Sequence, residues 1–473
     1  MDGEREAKSK FGRLDKIGAF LQSLNRKRLP ITMKYRKGRK RMLILKNAKI
    51  LTMDSAGTIE NGFVAICDQK IQMVGEMKDY SLDETGYQIH SLGGAWILPG
   101  FIDAHSHLGL FNDGLDFEGD DGNENTDPIT PQIRGIDGIF NGDVCFREAY
   151  EAGVSMVMTG PGSANVMGGQ FAILHTYRNT VEEAVVRPFA AQKAAFGENP
   201  KKVYGKENKL PATRMGAAAI LRETLYKAID YVKKWETYEQ KMAAREPESS
   251  DEQPDPPDFD FQLDSLKELI RGEIPLKIHA HRQDDILTAV RLSNEFGLKY
   301  TLDHCTEGYL IADFLRDEYV AGKLPGRGTG NRENKGGKLL GVIIGPVICD
   351  RAKPELSRLS IRAASILKRA GLPVAIMTDH PCVPQQYLPL SSSLTVKGGM
   401  DCRDALLSIT LEAAQILGVD EEYGSVTPGK YADLTIFSGD PFDYKSKVLS
   451  FLGQGIIRFD PDGLFQRDSA ETL

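Results

Sequence analysis

Apolar positions fall into two textures along the chain. Between Leu43 and Ile97 the runs LILKNAKILTM, FVAICDQKIQMVG and WILPG are short, rich in β-formers and separated by Gly, Asp and Asn, which predicts a small antiparallel sheet. Further on, GVSMVMTG, RPFAAQKAAFGEN, IPLKIHAHR, KYTLDHCTEG, LLGVIIGPVI and PVAIMTDHP alternate with helical stretches. Buried strands followed repeatedly by helices predict a closed parallel barrel, whose working residues sit where strands end and loops begin. β character returns in YGSVTPGKYADLTIFSGDPFD, Tyr423 to Asp443, so both chain ends are expected to build one satellite sheet. The predicted class is therefore α/β, a (β/α)8 TIM-like barrel with a small composite β-sandwich domain. Its parts are a basic N-terminal extension (1–42), the first part of the sandwich (43–97), the barrel (98–422), and the second part of the sandwich with a C-terminal tail (423–473). After Asp443 the strand pattern fades, which leaves the sheet incomplete or differently closed.

Three segments read as additions to this frame. Phe11, Leu14, Ile17, Phe20, Leu21 and Leu24 recur at helical spacing ahead of the basic KYRKGRKRM, which fits an amphipathic basic helix or a solvated extension. Ala243–Asp258 is acidic and Pro-rich, as expected of a mobile loop. Lys323–Lys338 is Gly-rich and basic but lacks the ordered spacing of a phosphate-binding loop, so it reads as a solvated one.

The polar residues of the barrel region are placed selectively. In LPGFIDAHSHLG, strand alternation puts His105 and His107 on one face, where they either chelate a metal or are each satisfied by neighbours. Lys193, His279, His304 and Asp379 each end another predicted run. His279 and His281 likewise share a face, so either could point inward.

The formal charge of −7 gives no reason to expect a nucleic-acid partner, and a small-molecule substrate fits better. Six cysteines without a CxxC pair suit a reducing compartment, and the expected location is cytoplasmic. No apolar run approaches the length of a spanning helix, and the first residues lack the apolar core of a secretory signal. Assembly into a homo-oligomer is left open.

On PGFIDAHSHLG, KIHAHR, DHCTEG, MTDHP and GSVTPGKYADLTIF, in that order, the chain resembles the metal-dependent amidohydrolase superfamily over roughly 43–443, and within it the group similar to imidazolonepropionases and Xaa-Pro dipeptidases. The resemblance implies one or two divalent ions, zinc (Zn2+) foremost, held by His105, His107, His279 and Asp379. His304 would either bind a second metal or polarise the substrate carbonyl. Lys193 would be carboxylated and bridge two metals, or remain an amine paired with a carboxylate such as Glu198, and His175 could reach inward and change the metal count. Asp379 would accept the proton of the attacking water. His281, Gln170, Arg214 and Glu307 are the candidates for substrate contact, and His380 for orienting a ligand. The implied activity is metal-dependent hydrolysis of carbon–nitrogen bonds in a cyclic amide or dipeptide-like molecule. The alternatives are a ring deaminase on the same scaffold and a non-catalytic binding module.

Overall fold

The computed structural model describes residues 42–245, 253–322 and 336–465. The basic N-terminal helix expected before residue 42 lies outside the described residues, as do parts of the two expected loops (246–252 and 323–335) and the end of the tail.

The satellite sheet draws on both ends of the described chain. Strands β1 (Met42–Leu51), β2 (Thr58–Cys67), β3 (Lys70–Glu76), β4 (Gln88–Ser91) and β5 (Trp96–Pro99) come from the first end. After the barrel strands β6 to β13, given below, β14 (Leu434–Phe437), β15 (Val448–Gly453) and β16 (Ile456–Phe459) come from the second. Their order is β16-β15-β14-β5-β1-β2-β3, with β4 also on β1. Leu43, Leu45, Ile50, Val64, Ile97, Leu434, Ile436 and Leu452 form its core, each worth about 1.5–3 kcal/mol when fully buried. The expected antiparallel sheet holds for most pairs, with one correction: β4 and β5 both run parallel to β1. Eleven residues between β3 and β4 let the chain cross back instead of turning in a tight hairpin. The tail pattern that fades in sequence is resolved as β15 and β16, which extend the sheet from β14.

The second sheet is the barrel. β6 (Phe101–Ser106), β7 (Val154–Thr159), β8 (Met167–His175), β9 (Val185–Ala195), β10 (Leu276–Ala280), β11 (Lys299–His304), β12 (Lys338–Ile344) and β13 (Val374–Ile376) follow one another in sequence order. Helices such as Gln283–Phe296 and Ala363–Arg369 lie between strands, and both strand faces are buried, as a sheet covered by helices requires. The expected all-parallel arrangement holds for every pair except those of β8, which runs antiparallel to β7 and β9. Only seven residues join β7 to β8, too few for the helical crossover a parallel pair needs.

Side chains close the barrel between β13 and β6. Asp103 Oδ2 accepts from the backbone N (3.1 Å) and Oγ1 (2.6 Å) of Thr378 and from Gln385 Nε2 (2.7 Å). One residue on, Asp379 N donates to the His105 carbonyl at 3.2 Å. No helix among the described residues is long and apolar enough to cross a membrane.

Candidate active site

Where β6 ends, its alternation delivers His105 and His107 to the C-terminal mouth, and the residues after β13 bring Asp379 against them. Asp379 Oδ1 lies 3.4 Å from His105 Nε2 and 3.3 Å from His107 Nε2. A second trio, His279, His281 and His304, gathers at the ends of β10 and β11. In each trio the candidate ligand atoms lie within 4.8 Å of one another. The trios adjoin, with the His105 and His304 rings 5.4 Å apart. Five of the chain's eight histidines thus meet at one place, which chance spacing does not produce.

In three of the rings the second nitrogen shows which atom is available. His105 Nδ1 donates to Asp303 Oδ2 (2.8 Å), His107 Nδ1 to the Gly160 carbonyl (2.6 Å) and His304 Nδ1 to the Gly345 carbonyl (2.9 Å). These partners only accept, so Nδ1 carries the proton and Nε2 presents its lone pair, the tautomer a metal ligand needs. His281 Nδ1 pairs with Thr306 Oγ1 at 2.8 Å. His105 Nε2, His279 Nδ1 and His281 Nε2 are buried with no hydrogen-bond partner. Buried polar atoms are rarely left in that state, and a divalent ion satisfies nitrogen and carboxylate donors of this kind together. The donor set therefore fits one or two such ions.

Electrostatics keep the donors in ligand form. Burial, helped by Lys193 and Lys277, lowers His105 to about 4, and burial lowers His281 to about 4. Burial also holds His279 and His304 well below the usual imidazole value. Burial alone would raise Asp379, but the imidazoles of His304, His105 and His107 around it hold its carboxyl well below the usual carboxylate value, so it is ionised in the pH range where those rings are neutral. His304 and Asp379 sit at φ 64° and 55°, a left-handed conformation uncommon outside glycine and often found at functional residues.

Lys193 points into the same interior. Its Nζ is fully buried, has no hydrogen-bond partner and lies 5.3 Å from the Phe171 ring centroid, and burial lowers its pKa to about 8. It forms no ion pair with Glu198.

The remaining candidates divide. His281 stands inside the second trio, with Glu355 Oε1 3.6 Å from its Nε2. Gln170 is buried on β8, its backbone N donating to the Ile133 carbonyl at 2.7 Å. Arg214 is not brought to the trios: it pairs with Asp285 at 2.9 Å beside the start of the long helix Arg214–Ala244. Glu307 accepts from the backbone N of Gln283 at 2.9 Å and so serves the start of helix Gln283–Phe296. His175 ends the reversed strand at the far end of the barrel, where Tyr423 OH lies 3.2 Å from its Nε2. It does not join the site. His380 is buried beside Asp379, and neither ring nitrogen has a partner.

Sequence reasoning missed the layer beneath the histidines. Lys277, fully buried on β10, donates to the Ala104 carbonyl at 2.9 Å and lies 3.1 Å from Asp303 Oδ2, the same oxygen that holds His105. Asp103 and Lys277 each lie two residues before a candidate ligand, and the alternation that singled out the histidines puts them on the same inward face.

An eight-stranded α/β barrel with histidines and a carboxylate at its C-terminal mouth defines a class, the TIM-barrel hydrolases. Within it the chain belongs to the amidohydrolase family, whose model matches residues 96–462. It is similar to the crystal structure of an amidohydrolase from Thermotoga maritima, at 35% identity and a TM-score of 0.78, with 88% of this chain and 100% of that one covered. Amidohydrolase tasK of Hapsidospora irregularis is 26% identical over 88% of this chain, which spans only 41% of the length of that relative. An imidazolonepropionase from Paraburkholderia phymatum is 24% identical, covering 77% of this chain and 84% of the relative.

Proposed function

We propose that this protein is a metal-dependent hydrolase of carbon–nitrogen bonds acting on a cyclic amide or dipeptide-like small molecule. The observation that carries the reading is the convergence of unprotonated imidazole nitrogens, several of them buried without a partner, on the ionised Asp379. His105, His107 and Asp379 would hold one divalent ion, and His279, His281 and His304 would hold a second or complete the first. When bound, such an ion lowers the pKa of a coordinated water toward neutrality. Asp379, kept ionised by its histidine neighbours, is placed to take the proton of the attacking water. His304 donates through Nδ1 to Gly345, so its Nε2 acts as an electron-pair donor and supports the ligand role over polarisation of the carbonyl. Phe171, packed 5.4 Å from the His105 ring and 6.0 Å from the His107 ring, keeps water off one side of the trio. Similarity to an imidazolonepropionase and to amidohydrolases supports the bond class, and the substrate rests on this proposal.

The test is metal analysis of the purified protein together with a screen of cyclic amides, N-acyl amino acids, Xaa-Pro dipeptides and aminopurines. Turnover of one of the first three by metal-loaded protein is expected. Ammonia release from aminopurines alone would move the reading to a ring deaminase. Asp379→Asn should abolish turnover of the substrate found, and turnover at the wild-type rate would remove the proton-accepting role.

A further inference from the structure

The loop that follows β12 shapes a cavity of about 660 Å3 beside the mouth. Arg351, Arg362 and Lys397 line it, and among the described residues no carboxylate does. Arg351 is fixed by the carbonyls of Ser357 (3.2 Å) and Leu359 (2.8 Å). Among the described residues, Arg362 and Lys397 enter no ion pair, so no described carboxylate neutralises their charge. Elsewhere this chain, with its surplus of acids, pairs many surface cations with acids, as Lys227 with Glu223 and Arg316 with Asp313.

The cavity adjoins the second trio at His304. Val347, Leu359, Ser360 and Ile361 line both it and a throat of about 10 Å3 that reaches His304 and Thr306. A void of that size holds roughly one water, so an arm reaching His304 from the cavity would have to displace side chains that border both, of which Ile361 is 43% exposed. On the other side, Cys349 lines the cavity and is close enough to Asp379 for that carboxylate's charge to act on its thiol.

We propose that this cavity is the subsite for an anionic arm of the substrate, and that the preferred substrates carry a carboxylate extending from the scissile bond past His304 to Arg351, Arg362 and Lys397. The proposal rests on the hydrolase reading above and deepens it. Guanidinium groups suit a planar carboxylate, because their paired N–H donors match its two oxygens, and charge-assisted hydrogen bonds of this kind are about twice as strong as neutral ones. A cavity of this size also accommodates several methylenes between the carboxylate and the reacting amide.

The experiment uses the zinc-loaded full-length protein and two anilides that differ only at the end of one arm, glutaryl p-nitroanilide and its terminal primary amide. A kcat/KM at least about tenfold higher for the acid is expected, and Arg362→Gln with Lys397→Gln should erase that ratio by raising KM for the acid. Equal kcat/KM for the two, or an unchanged ratio in the double variant, overturns the proposal. Turnover of neither compound counts against the hydrolase reading and not against the subsite, which calorimetric titration with glutarate then decides. Binding weakened about tenfold or more by the double substitution supports the subsite, and absent or unaltered binding overturns it. Inorganic phosphate is the second probe: if it binds more tightly than glutarate with the same dependence on Arg362 and Lys397, the carboxylate assignment fails.

Discussion

Asp303 grips His105 from below: its Oδ2 accepts from His105 Nδ1 at 2.8 Å while Lys277 Nζ lies 3.1 Å from the same oxygen. The carboxylate thereby fixes the tautomer and the aim of a candidate ligand, and it neutralises a lysine fully buried in the barrel. Asp303→Asn keeps the shape and removes the charge. Metal affinity, measured by competition with a chelator, should fall about 10- to 100-fold. Urea unfolding of the same variant should show a loss of about 3–5 kcal/mol, because Lys277 is left without its counter-charge. Wild-type affinity would mean that Asp303 does not orient His105.

Removing metal should cost both activity and stability. Dialysis against a chelator is expected to abolish turnover, and stoichiometric zinc to restore it. Zinc at about a hundredfold excess over its dissociation constant should add about 2.7 kcal/mol to the unfolding free energy. An apoprotein that unfolds at the same urea concentration as the zinc-loaded form would contradict the assignment of the two trios.

Acid should destabilise the metal-free fold well above the usual carboxylate range. Burial lowers His105, His281 and His380 to about 4 and His175 to about 3, so in the folded state all four resist protonation. A lowered folded pKa contributes stability that is present above the unfolded value near 6.5 and lost as pH falls toward the folded value. Each such group has a limiting slope of about 1.4 kcal/mol per pH unit. Asp103 and Asp433 act in the opposite sense: burial raises each to about 6, so the stability they contribute at low pH is lost as pH rises through 6. Two carboxyls offset only part of the effect of four imidazoles, and urea midpoints should fall between pH 7 and pH 5. A flat profile would show that these rings are more exposed in solution.

Lys193 supplies a prediction that native mass spectrometry can read. An amine with a pKa near 8 and no hydrogen-bond partner is partly neutral at mild alkaline pH, the form that takes up carbon dioxide. Zinc-loaded protein kept in bicarbonate should carry the mass of one added carbon dioxide, and Lys193→Met should lose it. Its absence from the wild-type protein would leave Lys193 a plain amine.

The barrel was legible because its strands are short, largely apolar runs and much of its chemistry sits at strand ends, a local pattern that any reading of runs and polar stops picks up. Strand alternation likewise brought His105 and His107 together and allowed His279 and His281 both to face inward. The direction of β8 was not legible, since a strand reads alike both ways, and for that reason His175 looked inward-facing at the mouth. Arg214 and Glu307 have internal partners that the sequence did not show. Whether a charged side chain reaches a substrate or an internal partner depends on Asp285 and Gln283, which lie far from Arg214 and Glu307 in sequence and meet them only once the helices pack.

The reversed strand also changes what a mutation can reach. Because β8 begins where its neighbours finish, Gly168 lies beside the amine-bearing end of β9, and a methyl placed there would stand 3.3 Å from Lys193 Cγ. A backbone that carries no side chain therefore sets how much room the lysine has, and alanine scanning that skips glycines would miss it.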